Sequence, residues 1–116
     1  MGVKIIWSQS AKTQLREVFD YHLAVASERV ALRLVEKIAS RVNILKDNPQ
    51  AGSREESLTT YPQGFRYLVE GNYKIVYYTD ENMAIISLVF DCRRDPAKLP
   101  KDVSVLSGLQ SGKSEY

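Results

Sequence analysis

Residues 65–90 read FRYLVEGNYKIVYYTDENMAIISLVF. This stretch contains three runs that are rich in β-branched and aromatic residues, separated by two short turn signals. Gly71-Asn72 is a two-residue turn in which a positive φ costs little, and the polar residues 80–82 form a slightly longer turn. The pattern predicts an antiparallel meander of three strands, and the rest of the chain is arranged around it.

The length of the first turn sets which side chains share a face of the sheet. With two residues in the turn, Glu70 lies opposite Tyr73, and side chains then alternate between the two faces. Arg66 and Lys74 consequently fall on opposite faces, unless a bulge or another turn length changes the register. The predicted pairs are Arg66 with Tyr77 and Leu68 with Ile75 on one face, and Val69 with Lys74, Tyr67 with Val76 and Phe65 with Tyr78 on the other.

The residues before the meander predict one strand and two helices. Residues 3–7 form a β-branched and aromatic run, which must join the same sheet because a lone strand has no hydrogen-bonding partners. Apolar residues then recur at helical spacing from an N-cap at Ser8 or Ser10 to about Ala24. A second, longer helix starts after Ser27 and stops at Asn48-Pro49, because proline cannot extend a helix.

The predicted fold is α+β, with an antiparallel sheet packed against a two-helix hairpin. The sheet consists of the N-terminal strand and the three-strand meander, since a hairpin of two amphipathic helices needs a complementary apolar layer. The polar residues 49–64 read as a long connection, either functional or simply mobile. Residues 95–99 can start a short helix. We expect one domain over residues 1–100 and a tail over 101–116 that is flexible or ordered by a partner.

The composition excludes several classes of function. The chain has 116 residues, a net charge of +2 and a single cysteine, so it has no internal disulfide, and charge alone does not indicate nucleic-acid binding. The sequence contains neither a membrane-length apolar run nor a signal peptide, and we expect a cytoplasmic protein. The one histidine, His22, reads as a packed helix residue rather than a catalytic base, since no carboxylate or cysteine sits at a dyad spacing.

The residues suited to catalysis or to ligand binding are cations and tyrosines on or near the sheet. No glycine-rich phosphate loop and no metal-binding spacing is present, so we expect neither a metal nor a cofactor. Cations can hold phosphates and tyrosine rings can stack on unpaired bases, but the same residues also suit packing and a solvated rim. The set is Arg66, Lys74, Arg93 and Arg94, with Tyr67, Tyr73, Tyr77 and Tyr78.

The order of these elements resembles the RelE/ParE superfamily of bacterial toxins. The resemblance covers about residues 3–99 and includes Trp7-Ser8 before the first helix, residues 48–52 after the second, the hairpin residues 71–77 and Arg93-Arg94-Asp95 after the last strand. It implies a small cytoplasmic toxin that an antitoxin neutralises. RelE-like members cut mRNA in the ribosome without a metal, whereas ParE-like members inhibit DNA gyrase and are not nucleases.

The resemblance assigns roles to particular residues. Lys74 stands where RelE-like nucleases usually have an arginine, Arg94 matches the arginine beyond the final strand, and Arg66 is a plausible basic residue of the second strand. These three are the catalytic candidates if the chain is a nuclease. Arg93, Tyr67, Tyr77 and Tyr78 are the candidate binding residues.

Departures from the RelE-like pattern favour the ParE-like branch. Leu68 and Val69 replace basic residues, and Pro100 lies near the position of a late tyrosine, so no proton-transfer residue is evident. The sequence therefore slightly favours a non-nucleolytic inhibitor of gyrase. The alternatives are a ribosome-dependent mRNA endonuclease and an inactive interaction module of the same fold.

Overall fold

The computed structural model describes residues 2–93 and contains two α-helices and a five-stranded sheet. Predictions for the short helix at 95–99, for Arg94 and for the tail at 101–116 lie outside the described residues, as does the end of the predicted domain. Short 3₁₀ turns occur at Ile44–Lys46 and Glu56–Leu58. The main elements are β1 (Lys4–Trp7), α1 (Gln9–Val25), α2 (Glu28–Asn43), β2 (Ser53–Arg54), β3 (Arg66–Glu70), β4 (Tyr73–Asp80) and β5 (Met83–Asp91).

Both helices begin at serine caps, and of the two candidates predicted for the first helix it is Ser8, not Ser10, that caps it. The Ser8 side chain accepts a hydrogen bond from the Ala11 amide, and the Ser27 side chain accepts one from the Val30 amide. Helix α2 ends at Asn43 and continues as a 3₁₀ turn, so its α-helical part stops before Pro49. The prediction that α2 is the longer helix is wrong, since α2 has 16 residues and α1 has 17. No helix among residues 2–93 is long and apolar enough to cross a bilayer.

The meander has the predicted register. Glu70 pairs with Tyr73 across the first turn, and Arg66 pairs with Tyr77 at the other end of β3. Gly71 has a φ of 61°, a left-handed conformation in which a side chain would be strained, which explains the glycine in this turn. The prediction of a helix hairpin packed on a sheet is also confirmed.

Two features of the sheet differ from the prediction. The strand order is β1-β5-β4-β3-β2, and β1 runs parallel to β5, so the sheet is mixed rather than wholly antiparallel. The connection from β1 to β5 runs through both helices and strands β2 to β4, which is long enough to return the chain in the same direction. The stretch 49–64, predicted as an unstructured connection, contributes β2, because its residues Ser53 and Arg54 pair with Tyr67 and Arg66.

A bulge in β5 changes which of its side chains face the helices. Val76 pairs with Leu88, but Tyr77 pairs with Ile86, so Ser87 is the extra residue. Val89 and Ile86, which simple alternation would place on opposite faces, therefore both pack toward the helices. Leu88 points to the other face.

The two faces of the sheet have separate cores. The helix-side core joins α1 and α2 to the sheet and includes Val18, Ile38, Leu68, Ile75 and Tyr77. The opposite face is covered by residues 49–65, which we call the cover segment. The outer core beneath the cover segment contains Leu58, Phe65, Val76, Leu88 and Phe90.

Candidate functional site

Arg66 and Lys74 lie on opposite faces of the sheet, as the predicted register requires. Arg66 pairs with Tyr77, which belongs to the helix-side core. Lys74 pairs with Val69 and Phe90, and its side chain reaches the cover segment on the outer face. The two cations therefore do not form a common site.

Arg66 and Tyr77 hold the start of the cover segment. Arg66 Nη1 donates to the Gly52 carbonyl at 2.8 Å, and the Gly52 amide donates to the Tyr77 hydroxyl at 2.9 Å. The same hydroxyl donates to the Pro49 carbonyl at 2.8 Å. Burial raises the pKa of the Tyr77 phenol, so this side chain is a neutral anchor at physiological pH. Its ring is fully buried and presents no surface on which a base could stack.

Lys74 is joined to a buried carboxylate of the cover segment. Its Nζ lies 2.8 Å from Glu55 Oε1 and 4.4 Å from the centre of the Tyr67 ring. Glu55 is only 6% exposed and also accepts hydrogen bonds from the Ser57 amide and hydroxyl. Burial by itself would raise the pKa of Glu55, but the hydrogen bonds from Lys74 and Ser57 lower it below the ordinary value. Lys74 thus has a structural partner on this face.

The tyrosines of the outer face pack with the cover segment. Tyr61, Tyr67 and Tyr78 are partly buried against the outer core, and the Tyr78 ring meets Phe65 edge to face at 5.4 Å. Tyr67 lies beneath the Lys74 ammonium group. Tyr67 and Tyr78 remain candidate binding residues, since each is only partly buried.

A third cluster, which sequence reasoning missed, surrounds Tyr73 at the end of β5. The Tyr73 hydroxyl lies 3.1 Å from His22 Nε2 and accepts a hydrogen bond from Arg93 Nη2 at 3.3 Å. Arg93 also donates to both carboxylate oxygens of Asp91 and lies over the Tyr21 ring. Burial and Asp91 raise the pKa of the Tyr73 phenol, which Arg93 opposes. The phenol is therefore protonated at neutral pH.

The Tyr73 cluster borders a groove of about 380 Å³ beside α1. Arg93, a predicted binding residue, lines this groove, and the exposed tyrosine Tyr21 forms part of its wall. His22 is partly buried against Tyr73, as the packed interpretation of this histidine predicted. No local sequence signal joins these residues, because His22 and Tyr73 are 51 positions apart.

An apolar groove runs along the helix hairpin. It has a volume of about 630 Å³, and we call it the hairpin groove. Its walls are mostly apolar, and two cations, Lys12 and Arg16, also line it. The apolar lining residues are Trp7, Leu15, Phe19, Val35 and Ala39.

The described residues contain no evident metal centre. Among residues 2–93, no group of three or more histidine, cysteine, aspartate or glutamate side chains could hold a metal ion. Cys92 is exposed and is not in a disulfide.

Comparison with known proteins identifies the family. The sequence profile described as "ParE toxin of type II toxin-antitoxin system, parDE" matches residues 5–96, which is most of the chain. The chain belongs to the ParE toxin family. The resemblance to RelE/ParE toxins that the meander and the flanking motifs predicted is therefore confirmed, and this ParE-family chain is a toxin of the type II toxin-antitoxin class.

A solved structure supports the fold of this ParE-family chain. The chain is similar to one from the "Chromosomal ParDE TA system from P. aeruginosa", with a TM-score of 0.65 and 16% sequence identity. The match covers 77% of this chain and 95% of the other, and at this identity it shows the shared fold alone. No curated protein matches the chain in sequence.

Proposed function

We propose that this ParE-family chain inhibits DNA gyrase by protein contact and does not cut RNA. The observation that carries the proposal is the separation of Arg66 and Lys74 on opposite faces of the sheet. Each cation also has an internal partner, because Arg66 donates to the Gly52 carbonyl and Lys74 pairs with Glu55. A gyrase inhibitor acts in the cytoplasm, which agrees with the predicted location.

Cleavage of a phosphodiester requires charge stabilisation at one phosphate and groups that transfer protons. Two cations on opposite faces cannot meet at one phosphate. The buried phenols of Tyr73 and Tyr77 have raised pKa values, so neither accepts a proton at neutral pH. Both arguments support the non-nucleolytic branch. Arg94 remains a candidate for target binding in either mechanism.

A supercoiling assay with purified gyrase tests the proposal directly. We expect the toxin to reduce supercoiling in proportion to its concentration, and prior addition of the antitoxin to restore it. Full supercoiling activity at a saturating toxin concentration would reject gyrase as the target. Primer extension on ribosome-bound mRNA serves as the parallel assay, in which the proposal expects no new 5′ ends.

Lys74→Arg separates the two toxin mechanisms without removing the charge. Arginine keeps the ion pair with Glu55 and is the residue that RelE-like nucleases usually have at this position. If gyrase is the target, growth arrest and gyrase inhibition stay unchanged. An increase in mRNA cleavage by this variant would favour the nuclease mechanism. The absence of growth arrest on induction, at confirmed expression of the unmodified toxin, would favour an inactive interaction module.

We also propose that a cognate antitoxin occupies the hairpin groove. The groove is apolar, and Lys12 and Arg16 stand at it, which suits an amphipathic helix with acidic residues on its polar side. Val35→Asp should prevent antitoxin binding because it puts a charge into the groove. Val30→Asp on the same helix is the matched control, since Val30 is 44% exposed and does not line the groove. Equal loss of binding in both variants would contradict this location.

A further inference from the structure

Helix α2 carries a row of cations along one side. Arg29, Arg33, Lys37 and Arg41 follow one another at intervals of four residues, which places neighbouring members on adjacent turns of the helix. We call these four residues the α2 ridge. With a rise of 1.5 Å per residue, neighbouring members are roughly 6 Å apart along the axis and the ridge covers about 18 Å.

Most of the ridge has no partner within residues 2–93. Arg29, Arg33 and Lys37 are exposed and form neither a hydrogen bond nor an ion pair with another described side chain. Three acidic residues line two shallow grooves together with the ridge: Glu36 lines both, Glu28 one and Glu70 the other. None of the three forms an ion pair with the ridge in the described part of the chain. Arg41 is anchored, because its Nε donates to the Val69 carbonyl at 3.2 Å.

Helix α1 also has charged residues four positions apart, but there the two charges have opposite signs. There Arg16 faces Asp20 four residues later, and the two side chains form an ion pair at 3.1 Å. On α2 each i,i+4 neighbour within the ridge is another cation, and like charges at this spacing destabilise a helix. The exposed cations Arg29, Arg33 and Lys37 repel one another, and only Glu36, three residues after Arg33, offsets this repulsion at helical spacing. The stability of the helix therefore does not explain the row. Such a row of cations is suited to a binding partner that carries regularly spaced negative charges.

We propose that the α2 ridge binds the phosphate backbone of double-stranded DNA. DNA carries one phosphate per roughly 3.4 Å of axis on each strand, so a ridge of about 18 Å lying along a strand faces several phosphates. Three of the four cations are arginines, which bind phosphate oxygens through two parallel hydrogen bonds. Such contacts give affinity that depends on salt and not on base sequence.

The ridge and the hairpin groove lie on different sides of α2. Val35 and Ala39 line the groove, whereas no ridge residue does. DNA bound at the ridge therefore does not occupy the groove that we assign to the antitoxin. The inference goes beyond gyrase inhibition, because it concerns the toxin and free DNA alone.

The test is fluorescence anisotropy of a labelled duplex of mixed sequence, titrated with the full-length toxin at several salt concentrations. We expect measurable binding, with a slope of log affinity against log salt of about −3, because each phosphate contact contributes roughly −0.9. The triple variant Arg29→Gln, Arg33→Gln and Lys37→Gln should lose at least about tenfold in affinity and most of this slope. Arg41 is left unchanged because it supports β3.

The matched control is the triple variant Lys4→Gln, Lys46→Gln and Arg54→Gln. It removes the same amount of positive charge from exposed residues away from the ridge, and it should keep the affinity of the unmodified protein. Thermal unfolding checks that both variants are folded. Equal losses in the two variants, or no binding by the unmodified toxin, would overturn the proposal. Polyglutamate that displaces the labelled duplex at a lower charge concentration than unlabelled duplex does would also overturn it, in favour of an acidic protein partner. Because no gyrase is present, the outcome is independent of the supercoiling assay.

Discussion

The two faces of the sheet are covered in different ways. On the helix side, α1 and α2 place regularly spaced apolar residues against the sheet, and Gln14 of α1 also accepts a hydrogen bond from the Val89 amide. On the outer side, the cover segment combines an apolar cluster with an ion pair at Glu55. The start of the segment is tied at Gly52 to Arg66 and Tyr77, which lie on the helix-side face. The comparison teaches that two packed helices hold the helix side, whereas the cover segment has a smaller apolar cluster and adds an ion pair and hydrogen bonds to it.

The largest effect is expected from Ile38→Ala on the helix side. Ile38 is fully buried, and the variant loses its apolar contacts and leaves a cavity. We expect the free energy of unfolding to fall by about 2–5 kcal/mol, measured by chemical denaturation. The control is Leu32→Ala on the same helix, where the residue is 45% exposed. A loss at Ile38 no larger than at Leu32 would contradict a packed helix-side core.

Lys74→Met tests the main polar link of the outer face. The variant leaves the buried Glu55 carboxylate without its cation, and we expect a loss of about 1.5–3 kcal/mol at neutral pH. Lys46→Met, at an exposed lysine, is the control. Hydrogen exchange should show faster opening of residues 53–58 than of α2. Uniform acceleration across both regions would show that the two faces unfold as one unit.

The pH dependence of the stability of Lys74→Met tests the direction of the pKa shift of Glu55. In the folded protein the pKa of Glu55 lies below its ordinary value of 4.5, so the ion pair stabilises the fold above that pH. This contribution disappears as the pH falls through the lowered pKa. The stability difference between the unmodified protein and Lys74→Met should therefore narrow below about pH 4.5. A difference that does not change with pH would contradict the assignment.

Tyr77→Phe tests the link at Gly52 with a smaller change. The ring stays in the helix-side core, but the buried Gly52 amide loses its acceptor and the Pro49 carbonyl loses its donor. We expect a loss of about 1–2 kcal/mol and faster hydrogen exchange at Gly52. Tyr21→Phe is the control, because Tyr21 is half exposed. If the two variants are equally stable, the hydroxyl of Tyr77 does not hold the cover segment.

The smallest effect is expected from Arg16→Gln. Arg16 and Asp20 form a direct ion pair, as Lys74 and Glu55 do. The side chains of Arg16 and Asp20 are both more than half exposed. We expect a loss of about 0.5 kcal/mol or less, which added salt should reduce further. A double-mutant cycle with Asp20→Asn isolates the pair. A coupling energy as large as that of Lys74 and Glu55 would show that burial does not decide the strength of these ion pairs.

Much of the helix side could be predicted because its signals are local. The caps at Ser8 and Ser27, the apolar spacing of the helices and the turn at Gly71 all act within a few residues. The register of the first hairpin follows from the turn length, and it correctly separated Arg66 from Lys74. The parallel pairing of β1 was missed because it depends on how the helix hairpin returns the chain to the sheet.

The sites were harder to predict because their members are distant in sequence. Lys74 was recognised as a cation, but its partner Glu55 lies 19 positions earlier in a stretch without periodicity. The Tyr73 cluster joins α1 to the end of β5, and neither segment contains a sequence pattern that predicts contact with the other. A bulge such as the one at Ser87 also leaves no reliable trace in the sequence.

The meander at residues 65–90 by itself determined the first hairpin and its register, because strand alternation and turn length are local properties of the chain. Together with the flanking motifs it also determined the family resemblance. Only the tertiary structure decided what the cations of the sheet do. Folding brings Glu55 to Lys74 and Gly52 to Arg66, and a side chain's role depends on the partners that burial gives it.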